Sequence, residues 1–297
     1  MDRISLRELE YFVAVAEELS FSRAARQLHL SQPALSTQIQ ALENHLGARL
    51  FERNKRTVRL TAAGASLLAD AEYLFEQIAE IELRVARISS GEIGHLRIGF
   101  VASATLELIP AIATAFRKQY PGVTLELRNI PTVQQVEALR TGVIDAGFVR
   151  MPLKEEGLSL DLVHREPFAI VVSKSHPLAR QKNLSVKQLF DMPFIAYGRR
   201  WAPAFFDYWT GLCREAGFSP NIVQETAEME TALMLVAAGM GVAILPEGIT
   251  LRNRKIVAVT VLNREKIRSE IGIATAQNKQ TPLLQHLIAT AKKIGQP

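Results

Sequence analysis

The sequence contains almost no cysteine and no long apolar run. Cys213 is the single cysteine among 297 residues, so no disulfide can form within the chain and nothing indicates an oxidising compartment. We expect Cys213 to be a small core residue. No stretch approaches the roughly 18 consecutive apolar residues of a membrane-spanning helix. The N-terminal segment MDRISLRELEYF is acidic in part and lacks the apolar centre of a signal peptide. We therefore expect a cytoplasmic protein with no membrane partner.

Signatures of catalysis and metal binding are also missing. No Walker A motif, dinucleotide-binding glycine pattern or nucleophile elbow occurs. The histidines show no ligand spacing and have no paired cysteines beside them; they are His29, His45, His95, His164, His176 and His286. We therefore expect no enzymatic activity, no bound metal and no cofactor.

The composition is that of an ordinary globular protein, with 48% apolar, 22% charged and 7% aromatic residues. The length allows a small domain joined to a larger one. The net charge of +5 is compatible with nucleic-acid binding but does not establish it, so the position of the basic residues along the chain matters more.

Residues 1–61 show three helical patterns followed by a basic hairpin. Apolar residues recur at helical spacing in three groups: Leu6, Leu9, Phe12, Val13 and Ala16; Phe21, Ala24, Ala25 and Leu28; Leu35, Ile39, Leu42 and Leu46. Ser31 is a suitable N-cap for the third helix, Pro33 is tolerated in its first turn, and Gly47 ends it. The following segment RLFERNKRTVRLT predicts a short hairpin, or wing.

The third helix places Gln32, Ser36 and Gln40 opposite its apolar stripe. Amides and hydroxyls both donate and accept hydrogen bonds, as base edges and phosphates require, and a helix N-terminus favours phosphate. The wing adds the densest basic cluster, which supplies affinity through counterion release: Arg49, Arg53, Lys55, Arg56 and Arg59. The predicted DNA-binding residues are Ser31, Gln32, Pro33, Ser36, Thr37, Gln40, Arg53, Lys55 and Arg56. The alternative is a solvated three-helix bundle with a charged hairpin.

A long helix is predicted next, with Thr61 as its cap. Its apolar residues alternate at spacings of 4 and 3: Leu67, Ala71, Leu74, Ile78, Ile81, Val85 and Ile88. This heptad rhythm favours a dimerising seam over a helix that packs on its own domain. The segment Ser89–Gly94 then breaks the helix and is interpreted as a hinge.

From His95 onward strand-like and helical patterns alternate, which predicts an α/β fold with parallel sheets covered on both faces. Two such runs indicate two subdomains, and the last strand and helix are expected to return to the first. The predicted domains are 1–61 for DNA binding, 62–90 for the linker helix and 91–297 for effector binding. Subdomain I covers about 95–165 and 268–297, and subdomain II about 166–267.

The segment from Leu6 to Gly64 resembles the winged helix-turn-helix domain of LysR-type bacterial transcriptional regulators. The resemblance continues through GHLRIGFV, SKSHPLA and AAGMGVAILPE and covers essentially the whole chain. The later part is similar to the branch that responds to breakdown products of aromatic compounds. This resemblance implies an effector domain of the periplasmic-binding-protein kind, a homodimer or homotetramer, and activation or repression controlled by a small molecule.

The resemblance also implies partners and contacts. The expected partners are double-stranded promoter DNA, RNA polymerase and a small organic-acid effector, such as an aromatic acid or a muconate-like catabolite. By motif match Gln32, Pro33, Ser36 and Arg53 would contact DNA. The chain departs from many relatives at Thr37, where they carry arginine.

Ligands of open α/β sheets bind beyond the carboxyl ends of the strands. Ser103 follows the strand LRIGFV, Thr132 follows VTLELRNI, and Arg150 ends AGFVR. The two hydroxyls, with helix-start amides, suit a carboxylate, and the resemblance points to the same two positions. Phe205 or Phe206 is expected to wall the cleft, and we assign the contact to Phe206.

Alternatives remain open at each level. Ser103 and Thr132 would serve equally as plain helix caps, and Arg150 would serve equally in a structural ion pair. For the whole chain the alternatives are a cytoplasmic solute-binding protein without regulatory DNA binding, and an α/β enzyme for which no catalytic constellation is present.

Overall fold

The computed structural model describes residues 4–54, 57–104, 108–181, 183–262 and 266–295, apart from the side chains of Arg53, Asn54 and Arg252. The chain divides into two compact units, Met1–Ala86 and Arg87–Pro297, which are described separately. No helix within the described ranges combines the length and the apolar character that crossing a bilayer requires.

The N-terminal unit contains three helices, a hairpin and most of a fourth helix: α1 (Leu6–Glu18), α2 (Phe21–Gln27), α3 (Gln32–Leu46), β1 (Phe51–Asn54), β2 (Thr57–Leu60) and α4 (Ala62–Ser89). Serine caps begin the first three helices. Ser5 forms a capping box with Glu8, and the Ser20 side chain accepts the N–H of Arg23. Because such caps satisfy otherwise unpaired N–H groups, each helix begins where the sequence places a serine.

The core of this unit is built from the predicted apolar stripes. Phe12, Leu35 and Ile39 are completely buried, and Phe51 of the wing packs its ring 5.4 Å from that of Phe12. The prediction of burial is wrong for two residues of these stripes, since Leu6 is 47% exposed and Leu46 is 37% exposed. They occupy the first turn of α1 and the last turn of α3, where the stripe runs past the core.

Glu43 fastens the wing to the helices. Its Oε1 accepts the backbone N–H of Leu50 at 2.8 Å and that of Phe51 at 3.2 Å, in a buried position. The Thr61 hydroxyl donates to the carbonyl of Arg49 at 2.7 Å. The same oxygen accepts the N–H of Gly64 at 2.9 Å, so Thr61 caps α4 as predicted. The polar contacts therefore fix the wing and the start of α4 against α3.

Helix α4 exposes most of its apolar stripe. Ala71 is buried, but Ile81 is 55% exposed and Ile88 is 56% exposed. Leu74 and Val85, on the same stripe, are also exposed. The dimerising role of this stripe stays a prediction.

The C-terminal unit alternates strands and helices. Its elements are β3 (Ile93–Phe100), α5 (Leu108–Gln119), β4 (Gly122–Asn129), α6 (Thr132–Arg140), β5 (Ala146–Met151), β6 (Leu158–Ser173), β7 (Pro193–Tyr197), α7 (Pro203–Glu215), β8 (Asn221–Thr226), α8 (Met229–Ala237), β9 (Ala243–Pro246), α9 (Glu247–Thr250), β10 (Val257–Val261), β11 (Arg268–Ala276) and α10 (Pro282–Gly295). One sheet has the order β10-β6-β11-β5-β3-β4, with β9 also paired to β6, and β7 pairs with β8 in a second sheet.

The sheets are mixed, which corrects the prediction of parallel sheets. Strand β3 is parallel to β4 and β5, and β7 is parallel to β8. In contrast, β11 is antiparallel to β5 and β6, and β6 is antiparallel to β9 and β10. The segment 152–157 between β5 and β6 is too short for a helical crossover, so β6 cannot continue a parallel arrangement.

Three apolar cores include residues of the long strand β6, and the smallest of them contains Leu158. Val163 belongs to the core beneath α5 and α10, together with Ile271 and Leu287. Phe168 belongs to the second core, together with Cys213. Cys213 is fully buried, and burial raises the pKa of its thiol to about 11, which confirms it as a core residue. The last strand and helix pack with the first core, as predicted.

Candidate nucleic-acid interface and ligand cleft

Helix α3 begins with a cap that leaves little of its N-terminus unpaired. The Ser31 hydroxyl accepts the N–H of Ala34 at 3.3 Å, which confirms Ser31 as the N-cap. Pro33 has no N–H to offer. Among the described residues, the N–H groups of Ser31 and Gln32 are therefore the helix-start donors without a partner. A phosphate at this end would be held by these two backbone N–H groups at most.

The predicted DNA face of α3 is accessible. Ser31, Gln32, Pro33, Thr37 and Gln40 are exposed. Ser36 is half-buried. The Thr37 hydroxyl donates to the carbonyl of Pro33 at 3.0 Å, so it retains acceptor capacity but its proton is engaged.

The wing is described only in part. Arg49 and Arg59 are exposed at its base and on β2. The predicted contacts Lys55 and Arg56 lie outside the described residues, as does the side chain of Arg53. The DNA contacts of all these residues stay predictions.

In the C-terminal unit, buried Arg150 brings the predicted effector residues together. Its backbone N–H donates to Thr132 Oγ1 at 3.1 Å, and its Nη2 donates to Ser103 Oγ at 2.7 Å. Its Nη1 donates to Ser269 Oγ at 2.5 Å and to Glu166 Oε1 at 3.2 Å. The residues at the carboxyl ends of β3 and β4 therefore both contact Arg150 of β5, Ser103 through the guanidinium group and Thr132 through the backbone N–H.

These contacts leave a definite set of donors. The Ser103 and Thr132 oxygens each accept from Arg150, and among the described residues neither hydroxyl donates its proton. The Nε of Arg150 is buried without a partner. Two hydroxyl protons and two guanidinium N–H groups, that of Nε and the second of Nη2, therefore remain for a ligand.

The helix-cap alternative is wrong for Thr132, since Pro131 is the N-cap of α6 and no side chain caps it. Ser103 lies in the short turn Ala102–Ala104 and accepts from Arg150 Nη2. Sequence patterns cannot separate these roles, because caps and ligand contacts use the same residue types.

The structural ion pair of Arg150 is present as well. Burial lowers the pKa of the Arg150 guanidinium, and the charge and hydrogen bond of Glu166 oppose that shift. Glu166 Oε2 also accepts the N–H of Gly248 at 2.7 Å. Because Arg150 and Glu166 compensate each other's charge, the pair can stay buried, and a ligand at this site would be held by the donors that remain free beside it.

Two chambers adjoin Arg150. The smaller has a volume of about 170 Å³ and is lined by Val101, Ala102, Ser103, Asn129, Pro131, Arg150, Tyr197, Trp201, Ala227, Glu228 and Met229. The larger has a volume of about 570 Å³ and is lined by Thr132, Val133, Val136, Glu137, Arg140, Arg150, Pro152, Leu153, Lys154, Glu155, Ala202, Pro203, Ala204 and Phe205. The first is rich in polar groups, and the second has an extended apolar wall.

The structure corrects the prediction that Phe206 walls the cleft. The Arg150 Cζ lies 5.4 Å from the ring centre of Phe205, which lines the larger chamber. Phe206 lines neither chamber and packs edge-on against Trp209, with ring centres 5.3 Å apart. Adjacent helical positions differ by about 100° in direction, so one of two neighbouring phenylalanines faces the cleft.

Sequence reasoning missed Asn129, Tyr197, Trp201 and Glu228 of the smaller chamber. Asn129 and Tyr197 are the last residues of β4 and β7, and Trp201 and Glu228 follow β7 and β8 closely. All four obey the strand-end rule that indicated Ser103. Applying that rule to the last residue of β4 and to the strands of the second subdomain would have found them.

Comparisons with known proteins agree with this architecture. Residues 6–65 match the family model described as bacterial regulatory helix-turn-helix protein, lysR family, and residues 89–295 match the LysR substrate binding domain. The HTH-type transcriptional regulator AlsR of Bacillus subtilis (strain 168) is 38% identical over 286 residues, which cover 96% of this chain and 94% of AlsR.

A second relative and a solved structure are also similar to this chain. The Hca operon transcriptional activator HcaR of Escherichia coli (strain K12) is 38% identical over 243 residues, which cover 82% of each protein. The crystal structure of full-length CbnR with its target DNA matches with a TM-score of 0.79 and 28% identity, over 99% of this chain and 100% of CbnR. The winged helical unit, the α/β unit and both family matches together show that the chain belongs to the LysR family of bacterial regulators, which bind DNA and are not enzymes.

Proposed function

We propose that this regulator is controlled by a small carboxylate effector, such as an aromatic acid or a muconate-like catabolite, bound beside Arg150. The main support for this proposal is a set of free hydrogen-bond donors. The hydroxyl oxygens of Ser103 and Thr132 accept from Arg150, so their protons are available, and the Nε–H of Arg150 has no partner. A carboxylate offers the acceptors that these donors lack, and charge-assisted hydrogen bonds are the stronger kind.

The larger chamber supports an apolar body on that carboxylate. Its wall includes Val133, Val136, Leu153, Pro203 and Phe205. Its volume of about 570 Å³ lies within the usual range for small-molecule sites. Desolvating an apolar or aromatic group there would add affinity that a short aliphatic acid cannot gain.

For DNA, we propose that the exposed polar face of α3 enters the major groove and that the basic wing holds the phosphate backbone. The solved complex of CbnR with its target DNA supports this proposal by likeness of fold. The exposed stripe of α4 would pair with a second copy in a homodimer or homotetramer. HcaR is described as an operon activator, which favours activation here, with RNA polymerase as a further partner.

Effector control requires only that the ligand bind one arrangement of the C-terminal unit more tightly than another. The core that contains Val163 and the core that contains Phe168 lie at successive stretches of β6 and provide two bodies whose angle a ligand at Arg150 would bias.

A thermal-shift screen of the full chain against aromatic and dicarboxylic acids tests the proposal. A ligand at 100 times its dissociation constant should add about 2.7 kcal/mol of stability. Matched amides, such as benzamide beside benzoate, keep the ring and remove the charge. Stabilisation by the acids alone, together with a changed gel shift on promoter DNA, is the expected result. Equal stabilisation by amides, or none by any acid, would contradict it.

A further inference from the structure

The smaller chamber beside Arg150 is polar and has room for part of a ligand. Its volume of about 170 Å³ is far above the roughly 10–15 Å³ that one water molecule needs. Tyr197, Trp201 and Glu228 line it, and Ser103 and Arg150 connect it to the proposed carboxylate position. With the apolar body of the effector in the larger chamber, a substituent that projects past Arg150 would lie within this smaller chamber.

Two buried polar atoms without a partner belong to a residue that lines this chamber and to a residue next to its lining. Trp201 lines the chamber, and its Nε1 is buried without a hydrogen bond. The Oε2 of Glu230 is also buried and unpartnered. Glu230 directly follows Met229, which lines the chamber, and its charge acts on both Arg150 and Tyr197. Buried polar groups are nearly always paired, so an unpaired donor and an unpaired acceptor near one chamber indicate a ligand that supplies both.

The chemistry of the missing partner follows from those two atoms. The indole N–H of Trp201 only donates, so it needs an acceptor. The carboxylates of Glu228 and Glu230 only accept, so they need a donor. A hydroxyl group does both, whereas an ammonium group would leave Trp201 unpaired and a methyl group would satisfy neither.

We propose that the chamber binds a hydroxyl substituent of the effector, which accepts from Trp201 Nε1 and donates to the carboxylate of Glu230. The effector is then a hydroxy acid rather than an unsubstituted acid. This inference rests on the proposed carboxylate site beside Arg150 and defines the ligand class for that site.

The test compares acids that differ in one group. Dissociation constants of the full chain are measured by calorimetry for the three hydroxybenzoates, the three methylbenzoates and the three aminobenzoates. Lactate and 2-methylpropanoate form an aliphatic pair of the same kind. For at least one pair, the hydroxy acid should bind about ten-fold more tightly than its methyl counterpart, as expected for a hydrogen bond to a charged group.

Two variants locate the effect. Trp201→Phe keeps an aromatic ring and removes the N–H, and Glu230→Gln keeps the shape and removes the charge. Each should lower the hydroxy-to-methyl affinity ratio several-fold. Tyr208→Phe is the matched control, because Tyr208 lies on α7 outside both chambers and stacks on Phe168. It should leave the ratio unchanged.

The outcomes separate the two proposals. Methyl and hydroxy acids that bind equally would overturn the hydroxyl assignment and leave the carboxylate site standing. Tighter binding of the aminobenzoates than of the hydroxybenzoates would assign an amino group to the chamber in place of the hydroxyl. That result would also overturn the hydroxyl assignment. An affinity ratio that Trp201→Phe and Glu230→Gln do not change would show that the hydroxyl lies elsewhere. Failure of every acid to bind would overturn both proposals.

Discussion

The guanidinium of Arg150 donates to the hydroxyl of Ser103 across 2.7 Å and joins the end of β5 to the turn after β3. The backbone N–H of the same residue donates to Thr132 at the start of α6. One residue thus donates to two hydroxyl oxygens, to Ser103 through its guanidinium and to Thr132 through its backbone N–H. Because both oxygens accept from Arg150, their protons are left to donate elsewhere, and the donors for a ligand are arranged before the ligand arrives.

Removing either hydroxyl should weaken effector binding and therefore reduce the effector response. Ser103→Ala and Thr132→Val each delete one donor to the carboxylate, and a hydrogen bond to a charged group contributes about 1.5–3 kcal/mol. We expect the effector dissociation constant, measured by titration calorimetry, to rise roughly ten-fold to a hundred-fold. Thr132→Ser keeps the hydroxyl and should retain most of the affinity.

Promoter binding without effector is the control for these variants. A gel shift should give the same affinity for Ser103→Ala as for the unaltered chain, because Ser103 belongs to the C-terminal unit. If basal DNA affinity falls as much as the effector response, Ser103 and Thr132 support the fold and are not ligand contacts.

Adding a methyl group at Gly147 should destabilise the C-terminal unit. Gly147 pairs with Gly99 on the parallel strands β5 and β3, and both leave room for the buried side chain of Gln135. A Cβ at position 147 would lie 2.5 Å from Gln135 Oε1. Gln135 cannot retreat freely, because its Nε2 donates to the carbonyls of Ile130 and Phe148.

We expect Gly147→Ala to lower the free energy of unfolding by about 1–3 kcal/mol, the usual cost of overpacking. Urea denaturation measures it. In a Gln135→Ala background the same change should cost much less, because the obstructing amide is gone. An equal cost in both backgrounds would place the strain elsewhere.

Sequence patterns predicted local features better than distant contacts. The Ser31 cap, the hairpin and the buried Cys213 depend on neighbours in the chain or on burial alone, and the structure confirms them. The antiparallel return of β11 between β5 and β6 depends on pairing across more than a hundred residues, which no local periodicity records. The prediction of parallel sheets failed at that point.

At the candidate site too, the sequence predicted positions along the chain but not the contacts between them. The strand-end rule found Ser103, Thr132 and Arg150, because it concerns positions along the chain. It did not reveal that Arg150 would contact the first two through hydrogen bonds. The choice between Phe205 and Phe206 required the direction in which α7 faces the cleft, and that direction is set by packing.

A charge in the exposed stripe of α4 should prevent self-association. Ile81 lies on that stripe and is exposed within its own unit, so Ile81→Lys should leave the monomer folded. Loss of one buried isoleucine from each copy costs about 1.5–3 kcal/mol per side chain. Sedimentation velocity should show a dimer dissociation constant raised roughly a hundred-fold or more.

Glu80→Lys is the matched control, because Glu80 is exposed on α4 but lies off the apolar stripe. Circular dichroism should show that both variants keep their helix content. Unchanged association of Ile81→Lys would exclude this stripe as the dimer seam.

The ion pair between Arg97 and Asp145 should make stability fall in acid. The two side chains are joined by bonds of 2.8 and 3.0 Å, and the Arg97 backbone N–H also donates to Asp145. Burial raises the pKa of Asp145, but the hydrogen bonds and charge of Arg97 outweigh burial, so the pKa lies below its ordinary value. The contribution is therefore present at neutral pH and is lost as the pH falls below about 4.

We expect this pair to contribute about 1 kcal/mol, since both side chains are partly exposed. Unfolding followed by urea between pH 3 and pH 7 measures the dependence. Asp145→Asn should reduce the dependence of the free energy of unfolding on pH in the acid range. An unchanged dependence would show that the ion pair does not contribute to acid sensitivity.

The wing should contribute to DNA affinity through charge rather than through base recognition. Arg53 lies on β1 within the basic cluster predicted from the sequence, between exposed Arg49 and Arg59. If its guanidinium neutralises one phosphate, Arg53→Ala should weaken binding to all promoter sequences alike. The slope of log affinity against log salt concentration should also become less negative by about 0.9. Lys174→Ala removes an exposed cation from the C-terminal unit and should leave the slope unchanged. A loss of affinity for one operator sequence only, at constant slope, would instead assign Arg53 to base contacts, because base recognition changes specificity and phosphate contacts change the number of released counterions.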